Sequence, residues 1–143
     1  PVQLTKNGGV YGKESLDGRY LYYAKFGPAG LPTMWRVPVS GGEEVRIEIN
    51  LASYSNFAVA REGIYFESAP PSSPLGHIPM LSPFTRPEAT IDFFSFATGK
   101  VSRVLTVNRY AGHGMDVSPD GRTLMFGQMD TLTEDLMLVE NFK

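Results

Sequence analysis

The chain has 143 residues, of which 42% are hydrophobic and 12% aromatic, and it carries a formal net charge of −2 with no cysteine. This is the length of one ordinary domain, and the hydrophobic content excludes an intrinsically disordered chain. The missing cysteines exclude disulfides, thiolate zinc sites and a cysteine nucleophile, while the slightly acidic balance argues against nucleic-acid binding by this chain itself.

The first predicted element is an isolated outer strand within residues 1–6, running from Val2 to Thr5. A first four-stranded unit follows over residues 7–49. Its strands are predicted at residues 10–15, 19–25, 34–39 and 44–49. Alternating apolar positions such as Val37 and Val39 favour strands, because a half-buried strand turns every second side chain to the core.

A second unit is predicted over residues 50–107, with strands at 56–60, 63–68, 90–96 and 101–107. Between its second and third strands lies a proline-rich insertion, residues 67–90, which contains six of the eleven prolines. Proline lacks a backbone donor and fixes φ, so this insertion is predicted to form neither a helix nor a central strand. A loop of this length is typically functional or disordered.

A third unit, residues 108–143, supplies three predicted strands, at 114–117, 123–128 and 135–139, and lacks the outer strand of the other units. No stretch combines a helical hydrophobic period with caps at both ends. No apolar stretch reaches the roughly 18 to 20 residues that span a bilayer, so no membrane segment is predicted. The sequence therefore predicts an all-β chain.

A shared turn signature joins the first and second strands of the units. The pattern Asp-Gly-Arg-x-Leu-x-aromatic occurs twice, beginning at residues 17 and 120. Proline presets φ at the first corner of a turn, aspartate bonds back to the main chain, and glycine accepts a positive φ. Structural turn roles are therefore predicted for Asp17, Gly18, Pro119, Asp120 and Gly121.

The turn glycines at positions 18, 63 and 121 recur every roughly 40 to 45 residues once the insertion is set aside, which is the length of a four-stranded β-propeller blade. The sequence therefore predicts a single partial propeller domain, residues 1–143, of three four-stranded antiparallel blades. Closed propellers have about four to eight blades. A three-bladed arc is half of such a ring and would leave an apolar blade face uncovered at each end.

Two arrangements would complete the ring. In one, the chain is the remainder of a longer parent chain. In the other, two copies form a homodimer in which Val2 to Thr5 of each copy supplies the missing outer strand of the other's third blade. The homodimer is predicted for the isolated chain.

The segment from Asp116 to Phe126, DVSPDGRTLMF, resembles the blade signature of TolB-like and WD-repeat-like propellers. Residues 62–66, 91–100 and 135–142 are similar to the last blades of bacterial regulatory proteins that join a winged-helix or protein-kinase domain to such a propeller. This resemblance implies a non-catalytic module for protein interaction or ligand sensing, with the bacterial cytoplasm and periplasm both left open. The alternative is an accessory propeller domain of a hydrolase, a peptidase or a lyase with a histidine–metal site.

Candidate ligand-binding residues come from loops that share one face of the predicted arc, built from residues 26–33, 67–90 and 108–113. Connections between blades and those between second and third strands emerge on this same face, where both histidines would lie. The candidates are His77, Arg86, Arg109, Tyr110, His113 and Asp116. The alternative to a ligand site is that the two histidines are unrelated loop residues. This alternative is favoured because a zinc site needs about three or four protein ligands. No metal site, cofactor or catalytic residue is predicted, and the Gly-x-Ser-x-Gly pattern of serine hydrolases is absent.

Overall fold

The computed structural model describes residues 2–27, 30–69, 88–108, 110–129 and 134–140. Within these ranges the chain is all-β, as predicted, and it has eleven strands in three antiparallel sheets. Blade 1 consists of β1 (Val10–Glu14), β2 (Tyr20–Phe26), β3 (Pro32–Pro38) and β4 (Val45–Asn50). Blade 2 consists of β5 (Phe57–Val59), β6 (Gly63–Glu67), β7 (Ala89–Ser95) and β8 (Val101–Val107). Blade 3 consists of β9 (Tyr110–Val117), β10 (Thr123–Met129) and β11 (Glu134–Glu140).

Each blade is a simple meander in which neighbouring strands are also consecutive in sequence. Most predicted strand ends agree with the observed ones to within one or two residues. The inner strands β1, β5 and β9 contact one another, so the three blades are arranged around a common axis. The described part of the chain holds no helix that could cross a membrane.

Blade 2 lies between the other two blades and is buried on both faces. Alternate residues of β5 point to opposite sides, because successive side chains of a strand do so: Phe57 packs toward blade 1, and Ala58 packs toward blade 3. The blade 1 layer also contains Tyr22, Ala24, Met34, Ile47, Ile49, Leu51, Val59, Ile64 and Phe66. The blade 3 layer also contains Ala60, Tyr65, Ile91, Met115, Leu124 and Phe126. Each large apolar side chain buried in these layers contributes about 1.5 to 3 kcal/mol.

Two features of the chain differ from the sequence-based expectation. Val2 to Thr5 is not part of any strand of the single chain. The insertion is shorter than predicted, because Glu67 ends β6 and Ala89 begins β7, so paired strands occupy both ends of the segment 67–90. The ladder Glu67↔Ile91 and the pair Ala89↔Val107 hold these ends in the sheet.

The two end faces of the arc have different chemistry, because on blade 3 the side turned away from blade 2 exposes Met125, Leu136 and Leu138. On blade 1 the end face is covered by a hydrogen-bonded cluster in which Tyr23 Oη donates to Glu44 Oε1 (2.6 Å) and Lys25 Nζ donates to Glu44 Oε2 (2.8 Å). Lys25 also lies over the Trp35 ring, 4.5 Å from its centroid. Burial and the Glu44 carboxylate both raise the pKa of Tyr23. The expectation of an uncovered apolar face at each end is therefore wrong for blade 1.

The two Asp-Gly turns have the same hydrogen-bonding pattern. In the blade 1 turn, Ser15 Oγ donates to Asp17 Oδ1 (2.7 Å), and the backbone and side chain of Arg19 donate to the same carboxylate. In the blade 3 turn, Asp120 Oδ1 accepts from Ser118 Oγ and from the backbone N–H of Arg122 (3.0 Å). The turn glycines have φ values of +69° and +67°, which glycine adopts without the steric cost of a side chain.

These hydrogen bonds make the stability of the blade 1 turn depend on pH. The bonds from Ser15 and Arg19 lower the pKa of Asp17 from 3.8 to about 2. A carboxyl group with a lowered folded-state pKa contributes stability that is complete above its unfolded pKa and lost as pH falls through the folded value. We expect Asp17→Asn to lower the thermal midpoint at pH 7 and to approach the wild type as pH falls through about 2. Circular dichroism melts across this range test it, and a constant difference at all pH values would contradict it.

Candidate functional site

Four ring side chains meet on the face where the blade-to-blade connections emerge. We call Tyr11, Phe26, Tyr54 and His113 the loop-face aromatic patch. Tyr54 lies at its centre, with ring centroids 6.4 Å from Tyr11, 5.8 Å from Phe26 and 6.4 Å from His113. The residues come from the start of β1, the end of β2, the β4–β5 connection and β9. All four are exposed, and Phe26 is 55% exposed.

Tyr11 has an unusual backbone conformation within this patch. Its φ is +51°, in the left-handed region, and the β1–β2 register shifts between Val10 and Lys13. This conformation costs a residue with a side chain about 1 kcal/mol. Its ring packs edge-on against buried Phe57, with centroids 5.7 Å apart. Burial, followed by the charge of Asp116, raises the pKa of Tyr11. Core packing therefore holds this exposed ring in a fixed position.

His113 is presented by a bulge in β9. At this bulge the single residue Gly127 of β10 lies opposite three residues of β9, Gly112, His113 and Gly114. The pairing register of β9 and β10 shifts there. Gly114 has a φ of +95°, which favours glycine. Bulges re-aim side chains and are common beside functional sites. The sequence analysis places residues 108–113 in a loop. This is wrong for residues 110–113, because they belong to β9, whose pairing with β10 extends to Tyr110↔Met129.

A buried polar network lies beneath the patch and joins blade 2 to blade 3. Asn56 and Glu67 are each only 1% exposed. Asn56 Nδ2 donates to Glu67 Oε2 (2.7 Å) and to the carbonyl of Gly112 (2.8 Å), and its Oδ1 accepts from the N–H of Gly114 (2.9 Å). One amide thereby binds both sides of the bulge. Ser55 Oγ lies 3.3 Å from His113 Nδ1 and adds a contact to the ring.

A cleft of about 200 Å³ opens beside the patch along the axis. Its polar lining includes Lys13, whose Nζ donates to the carbonyl of Met115 (2.7 Å) and to Asp116 Oδ1 (3.2 Å). Lys13 belongs to blade 1 and its two partners belong to blade 3, so this side chain bridges the inner strands across the axis. Tyr11, His113, Met125 and Leu136 also line the cleft.

The structure brings two of the predicted ligand-binding residues together. His113 and Asp116 line the same cleft. Tyr110 begins β9, next to this site in sequence. His77, Arg86 and Arg109 lie outside the described residues. In the described ranges no three histidine, aspartate or glutamate side chains come together as a metal site would require.

Sequence reasoning missed Tyr11, Tyr54, Asn56 and Glu67. One local signal was available, because Glu67 ends a strand whose five residues are otherwise glycine and large apolar residues. A charged residue at the end of such a buried strand needs a polar partner. Nothing local marks Tyr54, which becomes the centre of the patch only when β1, β2 and β9 pack around the β4–β5 connection. The arrangement can stack against flat or apolar groups through its rings and donate hydrogen bonds at its rim.

No protein-family model matches the chain, and no curated protein matches it. Solved structures do. The chain is similar to a putative TolB from Agrobacterium tumefaciens, with 18% identity, a TM-score of 0.64, and coverage of 89% of this chain and 40% of that one. An oligogalacturonate lyase from Vibrio parahaemolyticus matches with 20% identity, a TM-score of 0.65 and coverage of 91% and 37%. Prolyl oligopeptidase B from Galerina marginata matches with 19% identity, a TM-score of 0.62 and coverage of 93% and 20%.

These similarities establish the architecture as that of a partial β-propeller, with blades like those of TolB and oligogalacturonate lyase. The chain spans 40% or less of the length of each of these proteins. At identities of 20% or lower, the likeness shows a shared fold and leaves function to the residues of the chain itself.

Proposed function

We propose that this propeller module is non-catalytic and binds a protein partner through the loop-face aromatic patch, as part of a bacterial regulatory protein. The observation that carries the proposal is the cluster of exposed rings around Tyr54. The regulatory setting is supported by the sequence resemblance to the final blades of winged-helix and kinase-linked propellers.

The exposure of the patch supports a binding role. Single exposed apolar residues are ordinary on protein surfaces, whereas contiguous ones mark interaction sites. Tyr11, Phe26 and Tyr54 are between 39% and 55% exposed and adjoin one another. Aromatic residues are enriched at the centres of protein interfaces, where they bury large areas with little loss of side-chain entropy.

The rigidity of the patch supports recognition by a preformed surface. Tyr11 is held against Phe57, and the bulge that carries His113 is held by the amide of Asn56. A surface already in its binding conformation loses less conformational entropy when a partner docks. The polar groups nearest the patch already serve structural contacts, with Asp116 bound to Lys13 and Glu67 bound to Asn56. These contacts favour positioning roles for both carboxyl groups over acid–base chemistry.

We expect Tyr54→Ala to weaken partner binding by about tenfold or more, since central aromatic residues dominate interface energies. The probe is a peptide selected against the whole chain from a displayed library of random dodecapeptides, with affinity measured by calorimetry. Leu16→Ala is the matched control, because Leu16 is 49% exposed in the turn at the opposite end of the blade. Circular dichroism verifies that both variants fold. Failure to select any peptide, or equal affinity of Tyr54→Ala and the wild type, would reject the proposal.

A second candidate, an accessory propeller domain of a peptidase or lyase, is favoured by the likeness to prolyl oligopeptidase and oligogalacturonate lyase. If this second candidate contains a histidine–metal site, elemental mass spectrometry of the purified chain distinguishes it from the protein-binding module. Stoichiometric zinc or calcium that disappears in His113→Ala would favour the second candidate. The described residues alone provide no group of three such ligands, so the first candidate expects no stoichiometric metal.

A further inference from the structure

The rings of the loop-face aromatic patch form an uneven, furrowed surface. The ring planes of Tyr11 and Phe26 stand at 72° and 64° to the plane of Tyr54, with centroids 6.4 and 5.8 Å from it. Rings inclined this steeply to a common neighbour leave a furrow on either side of that neighbour. The patch therefore offers narrow apolar slots, which suit compact and rigid apolar groups.

Two hydroxyl groups of the patch are available to a ligand. In the part of the chain that the structure describes, neither the Tyr11 nor the Tyr54 hydroxyl has a hydrogen-bond partner, and both side chains are exposed. A peptide that covers these hydroxyls must supply carbonyl acceptors for them. An α-helix pairs its carbonyls with its own N–H groups. An extended peptide, whose carbonyls are free, therefore fits these donors better than a helix does.

The backbone N–H groups of an extended partner decide its composition. Ordinary residues would each bring an N–H donor toward the rings, and a donor covered without an acceptor is costly. Proline has no N–H, and its fixed φ keeps a peptide in the polyproline II conformation with its carbonyls free. Such a peptide is also ordered before it binds, so it loses less entropy on docking. The furrows and the two hydroxyls together favour a proline-rich partner.

A carboxylate beside the patch favours a basic residue in the same peptide. Asp116 lines the cleft that adjoins Tyr11, and its side chain is 67% exposed. Its Oδ1 accepts from Lys13 Nζ (3.2 Å) and from the N–H of Val117 (3.0 Å), whereas no described residue binds Oδ2. The side chain of Lys13 is only 22% exposed, so an approaching partner meets the carboxylate first. A guanidinium group binds such an oxygen through a charge-assisted hydrogen bond.

We propose that the loop-face aromatic patch binds a proline-rich peptide in the polyproline II conformation, with proline rings in the furrows beside Tyr54 and an arginine of the peptide on Asp116 Oδ2. This inference rests on the proposed protein-binding function and names the chemistry of the partner. The hydroxyls of Tyr11 and Tyr54 donate to peptide carbonyls. Because Phe57 already holds the Tyr11 ring in place, docking requires little rearrangement of the chain.

Fluorescein-labelled synthetic peptides test the chemistry of the partner on the unmodified chain by fluorescence anisotropy. The probes are octaproline peptides with an arginine at either end. Matched peptides replace alternate prolines by alanine, or the arginine by glutamine. We expect the alanine peptides to bind at least about tenfold more weakly, because they gain N–H groups and lose preorganisation. Glutamine should weaken binding about two- to fivefold, the usual effect of losing an exposed charge pair. Equal binding of the proline and alanine peptides would overturn the proposal.

Variants of the chain locate the peptide on the patch. Tyr54→Phe keeps the ring and should weaken binding of the arginine peptide, because it removes a donor to the peptide carbonyls. Asp116→Asn should remove most of the preference for arginine over glutamine. Glu48→Gln is the matched control, because it neutralises an 80% exposed carboxylate on β4, and it should keep that preference. Circular dichroism verifies that the variants fold. An arginine preference that survives Asp116→Asn would contradict the assignment of the basic residue to this carboxylate.

Two different negative results separate the polyproline II partner from protein binding in general. A proline-free peptide from the random library that binds through Tyr54, with no binding of the proline peptides up to about 1 mM, would overturn the polyproline II partner and leave the protein-binding function standing. If neither the library nor the proline peptides give a ligand, both proposals fail.

Discussion

Asn56→Leu is expected to lower the free energy of unfolding by about 3 to 5 kcal/mol, as is usual when one member of a buried polar or ionic network is removed. The substitution keeps a similar volume but removes the donors to Glu67 and to the Gly112 carbonyl, and the acceptor for the Gly114 N–H. All of these groups lie where blade 2 meets blade 3. Urea denaturation measures the change through the midpoint at constant slope.

The matched control is Asn50→Leu, the same chemical change at the exposed end of β4. It should alter stability by about 0.5 kcal/mol or less, as surface substitutions usually do. A small effect of Asn56→Leu would mean that neighbouring groups or water replace the amide. It would contradict the assignment of Asn56 as the link between the two blades.

Asn56→Asp separates charge from shape at the same position. The new carboxyl group would lie beside Glu67, and two adjacent carboxylates raise the pKa of one of them. A raised folded-state pKa means that the protonated form is the stable one. The variant is therefore expected to be closest to the wild type below about pH 4, the unfolded pKa range. It should lose stability as pH rises through the raised value. Denaturation curves at pH 4 and pH 7 distinguish this result from a pH-independent defect.

Gly63→Ala is expected to cost about 3 kcal/mol or more, at the upper end of overpacking effects. A Cβ at this position would overlap the backbone carbonyl of Phe94 and lie 2.5 Å from Cζ of Phe93. The ring could turn aside, but the carbonyl belongs to β7, which pairs with β6. Relief of the clash would require the central blade to separate two of its own strands. Thermal and urea denaturation both report the loss.

Gly27→Ala provides the control for the loss of glycine itself. A Cβ at Gly27 would come no closer than 3.6 Å, to the Leu31 carbonyl oxygen, which is ordinary van der Waals contact. Its stability should stay within about 0.5 kcal/mol of the wild type. If Gly63→Ala behaved like Gly27→Ala, the close approach of β6 to β7 would be wrong.

The strands and turns of this chain could be predicted because their determinants are local. Asp17 and Asp120 bond to residues within a few positions, and the alternation of Ile47 and Ile49 follows from the pleat of a single strand. Adjacent strands are consecutive in the sequence, so their order followed once the turns were placed.

The site could not be predicted to the same extent because its determinants are remote in sequence. Asn56 meets Glu67 across 11 residues and Gly112 across 56. These groups come together only when blades 2 and 3 pack. His113 was identified, but its position in a bulged strand depends on β10, which pairs with residues as early as Tyr110. The left-handed backbone of Tyr11 likewise reflects packing against Phe57, with no marker in its neighbours.

The meander order of the strands also bears on how a chain of this kind can change in length during evolution. Every ladder joins neighbours in sequence, so duplication of one blade-sized segment would add a complete sheet without rethreading the others. In such quasi-repetitive proteins stability is approximately a sum of unit and nearest-neighbour terms. An added blade would therefore have to match only the two faces that it meets. Because the two end faces differ in chemistry, an added blade would need an apolar face to pack against blade 3 and a polar face to pack against blade 1.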